Sequence, residues 1–257
     1  MEELLNELVE RLKQAAGGNL RSVVLYGSAA AHEYHPKHSD LNVLAVLTRL
    51  DAAALNSLSG VASWWQKKGH PGPMLFTEEE LLRCSDMFAM ELLDIKMSGR
   101  LLWGEEIFAE LEVPMQLHRI QVERQIAEGL VQLRQHYLSA GGSGRAVRQL
   151  MITSVATFAA LFRHALLALG EPLARERRQG IDRLAALIGF DATPFYTLLD
   201  VRAGKRRAGD VDWAGTFAAY LGAIEHVAKE LDRLLAVAAA TAPNETNTAH
   251  RAGGAEA

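Results

Sequence analysis

The strongest constraint on the fold is a pair of short apolar runs, Arg21 to Tyr26 (RSVVLY) and Leu41 to Leu47 (LNVLAVL). Both are too short for ordinary helices and rich in β-branched residues, so they predict buried strands. The segment between them, GSAAAHEYHPKHSD, reads as a turn, a short helical segment and a loop. Before the first run, Leu4, Leu5, Leu8, Val9 and Leu12 recur at helical spacing, and Gly17-Gly18 closes that helix. After the second, Asp51 to Lys68 reads as a helix ending near Gly69, and Pro73 to Phe76 as a third strand. Thr77 followed by Glu78, Glu79 and Glu80 has the form of an N-cap with an acidic first turn. Phe88 to Lys96 (FAMELLDIK) and Arg100 to Trp103 are predicted as further strands. This alternation of helix and strand over residues 1–113 predicts a sheet domain.

The character changes after Pro114. Leu117 to Leu138 and Arg145 to Leu169 are long helix-compatible runs, broken at Gly141-Gly142-Ser143-Gly144. Arg177 to Ile188, Pro194 to Val201 and Trp213 to Ala239 complete an all-helical, bundle-like region over 114–240. The fold class expected is therefore α+β: an N-terminal mixed sheet, then an all-α bundle, with 241–257 as a disordered tail.

Hydrophobic residues make up 49% of the chain, enough to bury a core. The formal net charge of −4 argues against dedicated nucleic-acid binding, which goes with a basic surplus. Cys84 is the only cysteine, so no intrachain disulfide can form, and it is read as structural. The N-terminus is acidic and amphipathic, unlike a secretory signal, and no uninterrupted apolar stretch reaches the ~18 residues of a membrane span. A cytoplasmic protein without a membrane partner is expected; a homodimer is left open.

Chemistry concentrates in Tyr26-Gly27-Ser28 and Ser39-Asp40-Leu41-Asn42, with ten residues between the two serines. Gly27 lets backbone approach a ligand at a strand end. Ser28 opens a helical turn whose N–H groups favour phosphate. Asp40 and Asn42, two apart, project from one face and offer two oxygen groups to a hard cation such as Mg²⁺. Such an ion clamps a triphosphate for in-line attack by a hydroxyl.

The pattern G-S, ten residues, then S-D-x-[D/N] on an apolar strand resembles the signature of the DNA polymerase β-like nucleotidyltransferase superfamily, which includes the aminoglycoside nucleotidyltransferases. The order strand, G-S, short helix, strand is also similar to theirs, as is a helical region after the sheet. The resemblance implies a Mg²⁺-dependent transfer of a nucleoside monophosphate from a nucleoside triphosphate, ATP first, to a hydroxyl of a small-molecule or protein acceptor. It implies Gly27, Ser28 and Ser39 as nucleotide-binding residues, Asp40 and Asn42 as metal ligands, and Asp40 as a catalytic carboxylate. The chain departs from the family at Asn42, where active members carry a second aspartate. Its third carboxylate is sought in Glu91 or Asp94, since the strand at 73–76 has no acid. Read as strand residues three apart, these two face opposite sides, so one reaches the site, and Asp94 is preferred. The alternative is a degenerate module of the same fold that binds a nucleotide or a protein without catalysis.

Other features carry two readings each. His32, His35 and His38 form either a transition-metal site or a polar loop interrupted by Pro36. Trp64-Trp65 form core or a stacking platform, with core preferred. The clusters Arg175-Glu176-Arg177-Arg178 and Lys205-Arg206-Arg207 form solvated surface or a phosphate-facing cleft, with surface preferred. Arg163 and His164, inside an apolar helix, face a groove between the two regions or form a satisfied buried pair.

Overall fold

The structure is a computed structural model that describes residues 1–31, 33–34, 39–83, 85, 87–109 and 111–241. Helix α1 (Glu2–Ala16) buries Leu5, Leu8, Val9 and Leu12, the stripe its periodicity predicts. It leads into β1 (Leu20–Tyr26), a one-turn 3₁₀ segment at Gly27–Ala29, and β2 (Asn42–Leu47). Helix α2 (Ala52–Lys67) starts on Asp51, whose side chain accepts from the Ala54 amide at 2.8 Å. It crosses over to β3 (Met74–Thr77), which pairs parallel with β2. Strands β1 and β2 pair antiparallel, and β4 (Arg100–Gly104) pairs antiparallel on the other side of β1. The four-stranded mixed sheet thus runs β3-β2-β1-β4.

Side chains alternate across this sheet and set what each face meets. Val23, Leu25, Val43 and Ala45 face α1 and α2, with the fully buried Trp65. Val24, Leu44 and Val46 face the other way, onto Leu81 of α3 (Glu78–Arg83) and onto Leu92 and Ile95 of α4 (Ala89–Ser98). Tyr26 lies directly opposite Asn42 in the β1–β2 register, two residues beyond the Val24–Leu44 pair. Both therefore point toward the α4 side.

Residues 88–96 correct the sequence reading: they are not a strand but belong largely to α4. The segment is made mainly of strong helix formers, with Ile95 its one β-branched residue. Its helical period is blurred because α4 is buried on two sides. Leu92 and Ile95 pack on the sheet, whereas Met90 belongs to the core of the helical half. On a helix, Glu91 and Asp94 are neighbours on one surface rather than opposed.

The helical half comprises α5 (Met115–Ser139), α6 (Gly144–Ala168), α7 (Arg177–Ile188), α8 (Thr193–Arg202) and α9 (Trp213–Thr241). Ser143 caps α6. This helix has the length and apolarity of a membrane span, but much of it forms the bundle core through Val155, Phe158, Phe162 and Ala165. Cys84, the three histidines at 32, 35 and 38, and the tail beyond 241 lie outside the described residues.

Candidate functional site

Gly27 turns the chain out of β1 with a left-handed φ of 73°, which glycine adopts at no steric cost. A Cβ there would lie 3.1 Å from Asn42 Nδ2, so the amide of Asn42 rests directly against the turn. The Gly27 carbonyl accepts from the Ala30 and Ala31 amides, and the Ser28 carbonyl from the Glu33 amide at 2.8 Å. These bonds close the turn on itself and tie Glu33 back to Ser28.

Beneath this turn, on the α4 side of the sheet, sits Glu91. Its Oε2 is buried and has no hydrogen-bond partner. Burial first, and the Glu91 charge second, push the Tyr26 hydroxyl up to about 12, which places Glu91 within electrostatic reach of the end of β1. Tyr26 donates to Met74 Sδ at 2.8 Å.

Asp94 has a different environment. Its Oδ1 lies 3.3 Å from Arg163 Nη2 and 3.4 Å from His164 Nε2, both on α6. Burial pushes its carboxyl up, but His164 and Arg163 outweigh this and hold it below its ordinary value. His164 Nδ1 in turn meets His118 Nε2 of α5 at 3.1 Å. Arg163 Nε donates to the Ala174 carbonyl at 2.6 Å, just ahead of α7. Arg163 and His164 are thus a buried, partnered pair, and they fasten α4 to the helical half.

Asp40 is exposed. Its charge acts on His70 and on Arg202, partly offsetting the burial that lowers the pKa of each. His70 is fixed by the Trp65 ring at 4.6 Å and by the Leu41 amide, which approaches Nδ1 at 3.4 Å. Trp65 is core and Trp64 half-buried beneath Arg11, in keeping with the preferred reading of that pair.

The two basic clusters converge where the sequence favoured solvated surface. A cleft of about 250 Å³ is lined by Glu33 and Ser39 from the sheet half. Across from them stand Glu176, Arg177, Arg178, Asp200, Arg202 and Lys205 of the helical half. Glu33 accepts from the Arg177 backbone amide at 2.7 Å and lies 3.2 Å from Arg177 Nε, while Arg178 pairs with Asp200. Arg206 turns away, toward Thr197 and the Asp210 carbonyl. Sequence reasoning did not single out Glu33 or Arg202, because neither stands in a motif and only the docking of α7 and α8 brings them together. Among the described residues, no three His, Cys, Asp or Glu side chains form a metal cluster.

No protein-family model matches the sequence, and no curated protein sequence does. Solved structures do match. Spectinomycin adenyltransferase AAD(9) from Enterococcus faecialis, solved with ATP and spectinomycin, superposes with a TM-score of 0.55. The match covers 90% of this chain and 99% of that one, at 12% sequence identity. The chain shares the fold of that adenyltransferase structure. In this fold the G-S turn and the start of β2 lie at one end of the two central strands of the sheet, and the cleft lined by Glu33, Ser39 and the charged residues of the helical half opens beside them.

Proposed function

We propose that the chain binds a nucleoside triphosphate, ATP first, and transfers its nucleoside monophosphate to a hydroxyl of a small-molecule or protein acceptor. The observation that carries this reading is the convergence of Glu33 and Ser39, beside the G-S turn and Asp40, with the cations of α7 and α8 on one cleft. A triphosphate needs such a cluster: backbone N–H groups at the turn and several cations to balance its charge. The fold shared with an adenyltransferase solved with ATP supports the same reading. In it, residues 1–113 bind the nucleotide and 114–240 close over it and shape the acceptor pocket.

Gly27, Ser28 and Ser39 line the phosphates, while Arg177, Arg178, Arg202 and Lys205 neutralise them. The acceptor oxygen attacks the α-phosphorus, the bond to the β-phosphate oxygen breaks, and pyrophosphate leaves. The acceptor proton passes to a carboxylate, and we assign this role to Glu91, whose buried Oε2 has no partner. Asp94, the sequence-based preference, is also without a hydrogen bond at its buried Oδ1, but that oxygen is ion-paired with Arg163 and His164, and among the described residues Glu91 has no such pair.

Magnesium, when bound, supplies positive charge at the transferred phosphate. Asp40 and Asn42 would hold it. With Nδ2 toward Gly27, the Oδ1 of Asn42 is the atom left for a cation. One carboxylate and one amide oxygen suit an ion that arrives on a triphosphate better than one held by protein alone. Calorimetric titration with ATP, with and without Mg²⁺, tests the reading. Binding should strengthen with Mg²⁺, and Asp40→Ala should remove that gain; equal binding by the variant at every Mg²⁺ level would overturn the ligand assignment.

A second reading, a catalytically degenerate nucleotide- or protein-binding module, is favoured by Asn42 itself, which removes one negative charge from the site. It predicts ATP binding with no nucleotide transfer or pyrophosphate release against any acceptor. Pyrophosphate release gained on Asn42→Asp would mark the chain as a former enzyme.

A further inference from the structure

Helix α7 is 12 residues long and its own N-cap, Glu176, makes no side-chain cap hydrogen bond. The carboxylate of Glu33, 144 residues away in sequence, accepts from the Arg177 amide that opens the helix. Its second oxygen lies 3.2 Å from Arg177 Nε. A backbone N–H at a helix N-terminus together with a guanidinium is the arrangement that receives a phosphate. Here a carboxylate of the chain already fills it. The pair is about one-fifth exposed on each side, so solvent screens it only in part. Glu33 is also tied to the G-S turn, since its amide donates to the Ser28 carbonyl at 2.8 Å. Arg178 differs: its partner Asp200 comes from the same half.

We infer that Glu33 is a specificity-determining residue, an internal anion that an incoming ligand must displace from Arg177. The inference rests on the nucleotide reading above and names which nucleotides succeed. A single phosphate merely exchanges one anion for another at Arg177 and gains little. A triphosphate carries more charge and spans from Arg177 to Arg178 and Lys205, so it gains contacts that the carboxylate does not make. The site therefore discriminates by phosphate number before any base is read.

Calorimetric titration of the full chain with AMP, ATP and inorganic tripolyphosphate tests this, comparing wild type with Glu33→Gln, which keeps the shape and removes the charge. Wild type should bind ATP and tripolyphosphate at least ten-fold more tightly than AMP. Glu33→Gln should tighten AMP binding five-fold or more and ATP binding less, so that the ratio narrows. Affinities of the variant within two-fold of wild type, or weaker, for all three ligands would make Glu33 a mere strut between the halves and overturn the inference. Thermal denaturation verifies that the variant folds. Should it not fold, the backbone amide and Nε–H resonances of Arg177 in wild type give the answer: both should shift on ATP addition, and unmoved resonances under bound ATP would overturn the inference equally. If neither protein binds any of the three ligands, the nucleotide reading itself fails and takes this inference with it.

Discussion

His118 and His164 show how a polar residue becomes structural by position alone. His118 is fully buried, and burial, reinforced by the nearby charges of His164 and Arg119, lowers its pKa to about 4. The native chain therefore keeps this ring neutral down to about pH 4, whereas the unfolded chain protonates it near 6.5. The sign follows: as pH falls from 6.5 toward 4, the unfolded state binds a proton that the native state refuses, and stability drops. The loss should amount to about 2 kcal/mol between pH 6.5 and pH 5. Asp94, held below the ordinary carboxylate range, does not titrate in that window. Urea denaturation at pH 7 and pH 5 measures the slope, and His118→Gln should flatten it; an equal slope in the variant would place the effect elsewhere. Nothing in the one-dimensional pattern around Arg163 and His164 separated a groove-facing pair from a buried one, because their partner Asp94 lies on a helix some seventy residues earlier.

At the scale of elements, the strands and the long helices were legible because each has a single apolar face or is apolar throughout. The capping signal at Thr77 was legible for the same local reason. Thr77 Oγ1 accepts from the Glu80 amide at 3.1 Å, and Glu80 Oε2 accepts from the Thr77 amide at 2.8 Å, a reciprocal capping box. Thr77→Ala should cost about 1 kcal/mol in urea denaturation. Combined with Glu80→Ala it should cost less than the sum of the two, since each bond holds the other's partner in place. Helix α4 was not legible. Its apolar residues serve two cores at once, so the period that distinguishes helix from strand is filled in from the other side. The setting of the two candidate carboxylates changed with it: as strand residues Glu91 and Asp94 face apart, whereas as neighbours on the helix Glu91 lies within electrostatic reach of Tyr26 and Asp94 pairs with Arg163 of α6.

At the scale of the molecule, a chain with net charge −4 gathers four cations, Arg177, Arg178, Arg202 and Lys205, and three carboxylates, Glu33, Glu176 and Asp200, where its two halves meet. Their cleft carries a slight cationic excess in a chain of net negative charge, and Glu33 of its near wall is bonded to the G-S turn. If this cleft holds the triphosphate, screening should tell on it. ATP affinity, titrated at 50 mM and 300 mM NaCl, should fall at least three-fold as the Debye length shortens. An affinity indifferent to salt would locate the nucleotide away from these cations.

The sequence by itself determined the α+β order, the two opening strands and the turn at Gly27. Each of these depends on short-range physics: side-chain alternation and a glycine at positive φ. Only the tertiary structure decided that Glu91 stands under the turn while Asp94 is spent on the joint between the halves. It alone decided that two basic clusters some thirty residues apart share one cleft, and that Glu33 caps a helix 144 residues away. Those outcomes depend on how helices dock, which is set by burial on several faces at once and leaves no period in the chain.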